Sequence, residues 1–268
     1  MKKVMKMLVA LATISPMAMA YNVPHVDDAG TIALWHNDSI VSNKYIYNDG
    51  SVTGIDQRLQ LSPNGADPTY LGPVLSDPAT IIGLDYPAGN ADFGSSLHFD
   101  GATQGALSAN LNGTTLIDPS DFRVEGWFNP DNATDGQKVV DIWGTVGVFT
   151  NSDKLTVQVF TDNGVPIYGD NYAPLGINPS GEWIHFAVDI FGTDMNVYLN
   201  GDLVRTQALP GNMTGGNKHF YLAQRYQGDN KFTGYIDEIR IAESSVPEPA
   251  TMALLAAGGL MMRRKKRA

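Results

Sequence analysis

Hydrolysis of a glycosidic bond takes two carboxyl groups, and a strand can present them at every second position because alternate side chains share a face. The 268-residue sequence has no Glu-x-Asp-x-Glu run of that kind. Glu125 stands in an otherwise apolar stretch with Arg123 two residues before it, a spacing that predicts an ion pair on the sheet surface. Asp237 and Glu238 are adjacent, so in a regular strand they face opposite ways and cannot act together on one bond. Nucleophilic chemistry has no better support. There is no Cys and no Gly-x-Ser-x-Gly, and the five His residues (25, 36, 98, 185 and 219) show no metal-ligand spacing. His185 lies between core-type positions and reads as a packing or hydrogen-bonded residue. No enzyme is expected.

Binding chemistry is better represented. Sugar recognition sets aromatic rings, which stack on pyranose faces, beside amide and acidic side chains that bond to hydroxyls. Trp143, Tyr168, Tyr172 and Tyr226 fit, since they fall at strand ends or in polar loops such as Tyr168-Gly169-Asp170-Asn171-Tyr172 and Arg225-Tyr226-Gln227-Gly228-Asp229-Asn230. Calcium takes six to eight oxygen ligands. Asp100-Gly101, Asp118 to Asp121, Asn151 to Asp153 and Asp229-Asn230 offer oxygens without following the EF-hand pattern.

The elements that must hold these residues are strands. Between Tyr21 and Ser245 short alternating runs recur, separated by Gly, Asn, Asp and Pro, with no sustained helical period. Strands are predicted at Thr31–His36, Phe122–Phe128, Leu155–Thr161, Trp183–Phe191, Met195–Leu199, Leu203–Leu209, Phe220–Gln224 and Tyr235–Ala242. Asn163-Gly164 and Asn200-Gly201 can adopt the positive φ of tight hairpins, so strands 155–161 and 195–199 should each be followed by an antiparallel partner. The stretch 30–95 is too sparse in apolar residues for a core of its own, with strand character limited to its start, Tyr45–Tyr47 and Arg58–Leu61. Residues 26–244 therefore read as one all-β domain, an antiparallel two-sheet sandwich or jelly roll, with the first strand pairing near the last.

Six segments carry a resemblance, in order: Ile32-Ala33-Leu34-Trp35, Ser96-Leu97-His98-Phe99-Asp100-Gly101, Phe122-Arg123-Val124-Glu125-Gly126-Trp127-Phe128, Gly181-Glu182-Trp183-Ile184-His185-Phe186-Ala187-Val188, Val197-Tyr198-Leu199-Asn200-Gly201 and Gly234-Tyr235-Ile236-Asp237-Glu238-Ile239-Arg240-Ile241. Together they resemble the LamG-like jelly roll of the concanavalin A-like lectin/glucanase fold. The resemblance implies a module that binds carbohydrates or proteins, often with calcium. It points to Asp100 and Asp237 as cation ligands, and to Trp35, Trp127 and Trp183 as packing residues.

Both ends read as addresses. Lys2, Lys3 and Lys6 precede the apolar Met7–Ile14, and Met17-Ala18-Met19-Ala20 offers small residues before Tyr21, which predicts a signal peptide over residues 1–20. Residues 246–268 join Val246-Pro247-Glu248-Pro249-Ala250-Thr251 to the apolar Met252–Met262 and to Arg263-Arg264-Lys265-Lys266-Arg267. An apolar helix of that length is short for a permanent span, which takes about 20 residues. The three-part tail resembles the PEP-CTERM sorting signal of Gram-negative bacteria. That implies transient membrane insertion, recognition by an exosortase-like membrane protease, and release to the cell surface or exopolysaccharide matrix.

Without the two ends, which carry eight cations and Glu248, the net charge moves from −10 to about −17. Such a domain does not bind nucleic acid through its phosphates. The leading expectation is an exported carbohydrate-binding or adhesion module with extracellular polysaccharide as partner. The alternatives are a glycoside hydrolase or lyase of the same fold, and a passive structural surface or matrix protein.

Overall fold

The computed structural model describes residues 25, 30–36, 45–46, 59–61, 74–75, 96–101, 107–110, 121–132, 134, 136–151, 154–163, 167–168, 173–174, 182–214, 219–225 and 230–244. Every regular element among them is a strand, numbered below in chain order. Sheet A runs β15 (Asp202–Ala208), β14 (Asp194–Leu199), β13 (Ile184–Phe191), β7 (Asp121–Pro130), β17 (Thr233–Glu243), β5 (Leu97–Asp100) and β4 (Val74–Leu75). β1 (Thr31–Trp35) also pairs with β17, so the first strand does meet the last. Sheet B runs β11 (Ile167–Tyr168), β10 (Lys154–Val159), β9 (Val146–Asn151), β8 (Lys138–Ile142), β16 (His219–Leu222), β6 (Leu107–Asn110), β3 (Leu59–Leu61) and β2 (Tyr45–Ile46), with β12 (Ala173–Pro174) also on β10. All pairings are antiparallel.

Period-2 alternation decides what fills the core. Phe122, Val124 and Phe128 of β7, Phe186, Val188 and Ile190 of β13, and Ile236, Ile239 and Ile241 of β17 are buried in one cluster with Val140 and Ile142 of β8, Val148 of β9, Val157 of β10 and Phe220 of β16. Trp35 stacks on Phe220 with ring centroids 5.0 Å apart, joining a strand of sheet A to one of sheet B. Asn200 and Gly201 take φ of 49° and 83°, and β14 and β15 pair across that turn as the dipeptide predicts. β10 is followed by its antiparallel partner β11. The β8–β9 hairpin, turning at Gly144 with φ 72°, has no counterpart in the sequence expectations. The expected signal peptide and the tail, including its helix, lie outside the described residues.

Two glycines let β7 and β17 approach. β17 slips register between Asp237 and Arg240, where Glu238 has a φ of 51°. A Cβ on Gly126 would strike the Ile239 Cδ1 and come within 3.3 Å of the Glu238 carbonyl, so Gly126 leaves room for that bulge. At Gly234 the φ is 135°, and a Cβ would fall on the Asn129 carbonyl and 2.8 Å from Pro130 Cα. Both obstacles are backbone and cannot rotate away. Gly234→Ala should therefore cost about 2 kcal/mol through strain and overpacking. Urea denaturation followed by circular dichroism would measure it, and a loss under 0.5 kcal/mol would show that the strand pair gives way more easily than this geometry allows.

Candidate functional site on the outer face of sheet A

The same alternation that sends apolar side chains inward lines the other face of sheet A with chemistry. Residues opposite each other in an antiparallel pair share a face. Four cross-strand rows follow. Arg123 lies opposite Asp189 and Ala242; Glu125 opposite Ala187 and Arg240; Trp127 opposite His185 and Asp237; Asn129 opposite Tyr235, which in turn faces His98.

An outward sheet face is ordinarily wet, but much of this one is covered. Glu125 is 1% exposed, and Arg123, Trp127, Asn129, His185, Asp237, Glu238 and Arg240 are buried as well. The Arg123–Glu125 pair expected on the surface does form, with Arg123 Nε donating to Glu125 Oε2 at 2.6 Å, yet it is buried, with His25 packed against it. Arg240 Nη1 donates to Glu125 Oε1 at 2.9 Å, and Arg240 Nε to Thr31 Oγ1 at 3.0 Å. Arg123 Nη1 also donates to Asp189 Oδ2 at 3.0 Å.

The β17 bulge corrects a second expectation. Asp237, opposite Trp127, is on the outer face, and the positive φ at Glu238 breaks the alternation that would send that carboxylate to the opposite side. Glu238 instead accepts from the His25 backbone N–H at 2.6 Å and lies 2.7 Å from His36 Nδ1, while its own N–H donates to Asp237 Oδ1.

Burial and charge set the protonation states. Desolvation opposes ionisation of Glu125, but the attraction of His25, then Arg123, His185 and Arg240, holds its pKa at about 2. Burial drives the imidazoles the other way, lowering His25 and bringing His185 to about 3 despite the neighbouring carboxylate. Asp189 is pushed up to about 6 by burial, which outweighs Arg123. Arg123 sits on two carboxylates and is raised, burial notwithstanding, so Asp189 is the member of that pair that yields its charge first. A carboxylate locked between two guanidiniums orients its neighbours and holds no proton to transfer at neutral pH.

The last row is different in kind. His98 and Tyr235 have ring centroids 4.6 Å apart, Trp183 lies 6.3 Å from Tyr235, and the half-exposed Asp131 carboxylate is 3.5 Å from His98 Nε2. Asn129 Nδ2 and Trp183 Nε1 are buried donors that make no hydrogen bond among the described residues. Aromatic faces, amide and indole donors and an acid thus meet at one place.

Residues 100–248, more than half of the chain, match the family model described as the concanavalin A-like lectin/glucanases superfamily. The chain belongs to this superfamily. Residues 245–267 match the PEP-CTERM protein-sorting motif, which marks an exported protein sorted to the cell envelope and processed by an exosortase. No curated protein matches the chain in sequence. Among solved structures, the concanavalin A-like chain is similar to the ligand binding domain of botulinum neurotoxin serotype D in complex with N-acetylneuraminic acid (TM-score 0.55, 11% identity, 84% of this chain and 50% of that one). It is also similar to the binding domain of paraclostridial mosquitocidal protein 1 (TM-score 0.54, 15% identity, 84% and 51%). At these identities the likeness concerns the fold, and the chain spans about half the length of each.

In this concanavalin A-like sandwich the sequence-derived candidates are scattered. Trp143 is half-buried in the β8–β9 turn of sheet B, its backbone N–H donating to the His219 carbonyl. Tyr168 falls in edge strand β11 of the same sheet, opposite Gln158, while Tyr172, Tyr226 and the motif Val246–Thr251 lie outside the described residues. Asp100 pairs with Thr233, four residues before Asp237 on β17, which places their backbones about 13 Å apart along the strand. Trp35 and Trp127 are both buried packing residues, Trp127 on the outer face edge-on to His185 at 5.2 Å, and Trp183 is half-buried. Asn129, Tyr235 and His98 were not anticipated as a group. The period-2 spacing of Arg123, Glu125, Trp127 and Asn129 is a usable signal, but pairing partners 58 to 119 residues away are needed to complete the rows.

Proposed function

We propose that this protein is an exported, non-catalytic carbohydrate-binding or adhesion module, and that the row of Asn129, Tyr235 and His98, flanked by Trp183 and Asp131, is where it touches sugar. The observation that carries this reading is the meeting at one place of the half-buried rings of His98, Tyr235 and Trp183 with the exposed Asp131 carboxylate. Asp131 would accept from sugar hydroxyls, while Tyr235 and Trp183 stack on pyranose faces. Superfamily membership and the sorting motif support extracellular polysaccharide as the partner. Trp143, Tyr168, Tyr172 and Tyr226 are proposed as secondary contacts, and calcium at Asp100 or Asp237 as an accessory ion.

Glycan-array binding tests this, run with calcium and with EDTA alongside a reducing-sugar assay. Tyr235→Ala should weaken binding about tenfold or more, the equivalent of about 1.4 kcal/mol, while Trp143→Ala changes it less. The reverse order would move the site to sheet B. Release of reducing sugar would replace this reading with the hydrolase, and silence on every glycan with the structural protein.

A further inference from the structure

The middle of the outer face holds a cluster that sugar binding does not use. His25, Glu125 and His185 come from before β1, from β7 and from β13, yet one ligand atom from each lies within 4.8 Å of the other two. We propose that these three residues bind a divalent transition metal of the zinc class.

Donor chemistry selects the metal. Two imidazole nitrogens and one carboxylate oxygen suit zinc, cobalt(II) or nickel, whereas calcium takes six to eight oxygens. In a tetrahedral zinc site neighbouring ligand atoms lie about 3.4 Å apart, given metal–ligand bonds of about 2.1 Å. His25 Nδ1 and Glu125 Oε1 are 3.8 Å apart, too far for a hydrogen bond and close to what a shared ion requires. The His25 side chain is only 12% exposed, and its Nε2 is buried and makes no hydrogen bond among the described residues.

The surroundings are those of a supported site, in which outer partners hold the ligands in place. Arg123 and Arg240 grip the two oxygens of Glu125, leaving each with a further lone pair. Glu238 holds the His25 backbone. The His185 backbone is fastened on both sides by Asn200, which accepts from the His185 N–H through Oδ1 and donates its own N–H to the His185 carbonyl, each at 2.9 Å. A divalent cation placed among these three ligand atoms would meet the Glu125 carboxylate directly. Bound there, it would fasten the chain before β1 to the centre of sheet A.

The test uses the purified full chain carrying no polyhistidine tag, stripped with EDTA and then titrated with zinc by calorimetry and with cobalt(II) by visible absorption. Binding of one equivalent, a melting temperature raised by several degrees in excess zinc, and a tetrahedral cobalt spectrum are expected. His25→Ala, at a residue outside every strand, should weaken zinc binding at least tenfold with an unchanged circular dichroism spectrum, and His219→Ala should leave it intact. The proposal is overturned if stripped wild type takes up no zinc, or if His25→Ala binds zinc as wild type does. Glycan binding by the row at Tyr235 is read separately, so either assignment can fail alone.

Discussion

Glu125→Gln should destabilise the fold by about 3–5 kcal/mol, the largest effect expected of any single substitution on this face. The change is nearly isosteric, so the loss would not come from a cavity. It comes from charge. Glu125 is 1% exposed and is the shared acceptor of Arg123 and Arg240, at 2.6 and 2.9 Å. The change takes from both arginines the carboxylate they share, while Arg240 keeps its bond to the neutral Thr31 hydroxyl and Arg123 keeps Asp189. Buried guanidiniums that lose a shared carboxylate cost more than the original pairs contributed, because their desolvation is already complete while that attraction is gone. Urea denaturation at pH 7 measures the loss. A second variant separates charge from packing: Glu125→Leu combined with Arg240→Met removes one partner from each side and should recover part of the stability that Glu125→Gln loses. If Glu125→Gln costs less than 1 kcal/mol, water reaches the guanidiniums and the network is not the closed one drawn here.

That network also marks where sequence reading stops. The strands of sheet A were legible because Phe122, Val124 and Phe128, or Phe186, Val188 and Ile190, alternate cleanly with other residues, and alternation is a local property. The Asn200-Gly201 turn was legible for the same reason. Burial of Arg123 and Glu125 was not local. It depends on His25, about 100 residues earlier, and on Arg240, 115 residues later. A charged pair on an outward face reads as a solvated pair until something is known to cover it. The misjudged Asp237-Glu238 dipeptide has a similar origin. Adjacent residues oppose each other only in an unbroken strand, and the bulge at Glu238 is allowed by the absence of a side chain at Gly126, more than 100 positions away. For the sugar row, the sequence located aromatic residues in loops by polarity, whereas Tyr235, His98 and Trp183 come together through strand pairing.

Asp189 gives the face a pH dependence opposite to that of acid unfolding driven by broken ion pairs. Its pKa rises from an ordinary 3.8 to about 6 in the folded protein, with burial the leading cause. The folded state therefore holds this proton more tightly than the unfolded chain, and the stabilisation is complete below the unfolded value. As pH rises from about 4 through 6 that contribution is lost, because the folded protein must ionise a buried carboxyl that the unfolded chain ionises freely. A shift of this size corresponds to about 3 kcal/mol over the window, and the side chain is 14% exposed, so solvent screening trims it only modestly. Glu125, lowered to about 2, acts in the other direction: its contribution is present above pH 4.5 and disappears as pH falls toward 2. The absolute stability curve mixes these effects, and the comparison with Asp189→Asn separates them. In that variant Glu125 and both imidazoles still titrate, so the difference between wild type and variant isolates Asp189. Urea denaturation at pH 4, 5, 6 and 7 should show wild type losing about 2–3 kcal/mol relative to Asp189→Asn across the series. Arg123 retains Glu125 at every one of these pH values, so its charge stays compensated in the variant. Two parallel curves would mean that Asp189 ionises in the fold as it does in the open chain, and that the 3.0 Å pair with Arg123 offsets the whole cost of its burial.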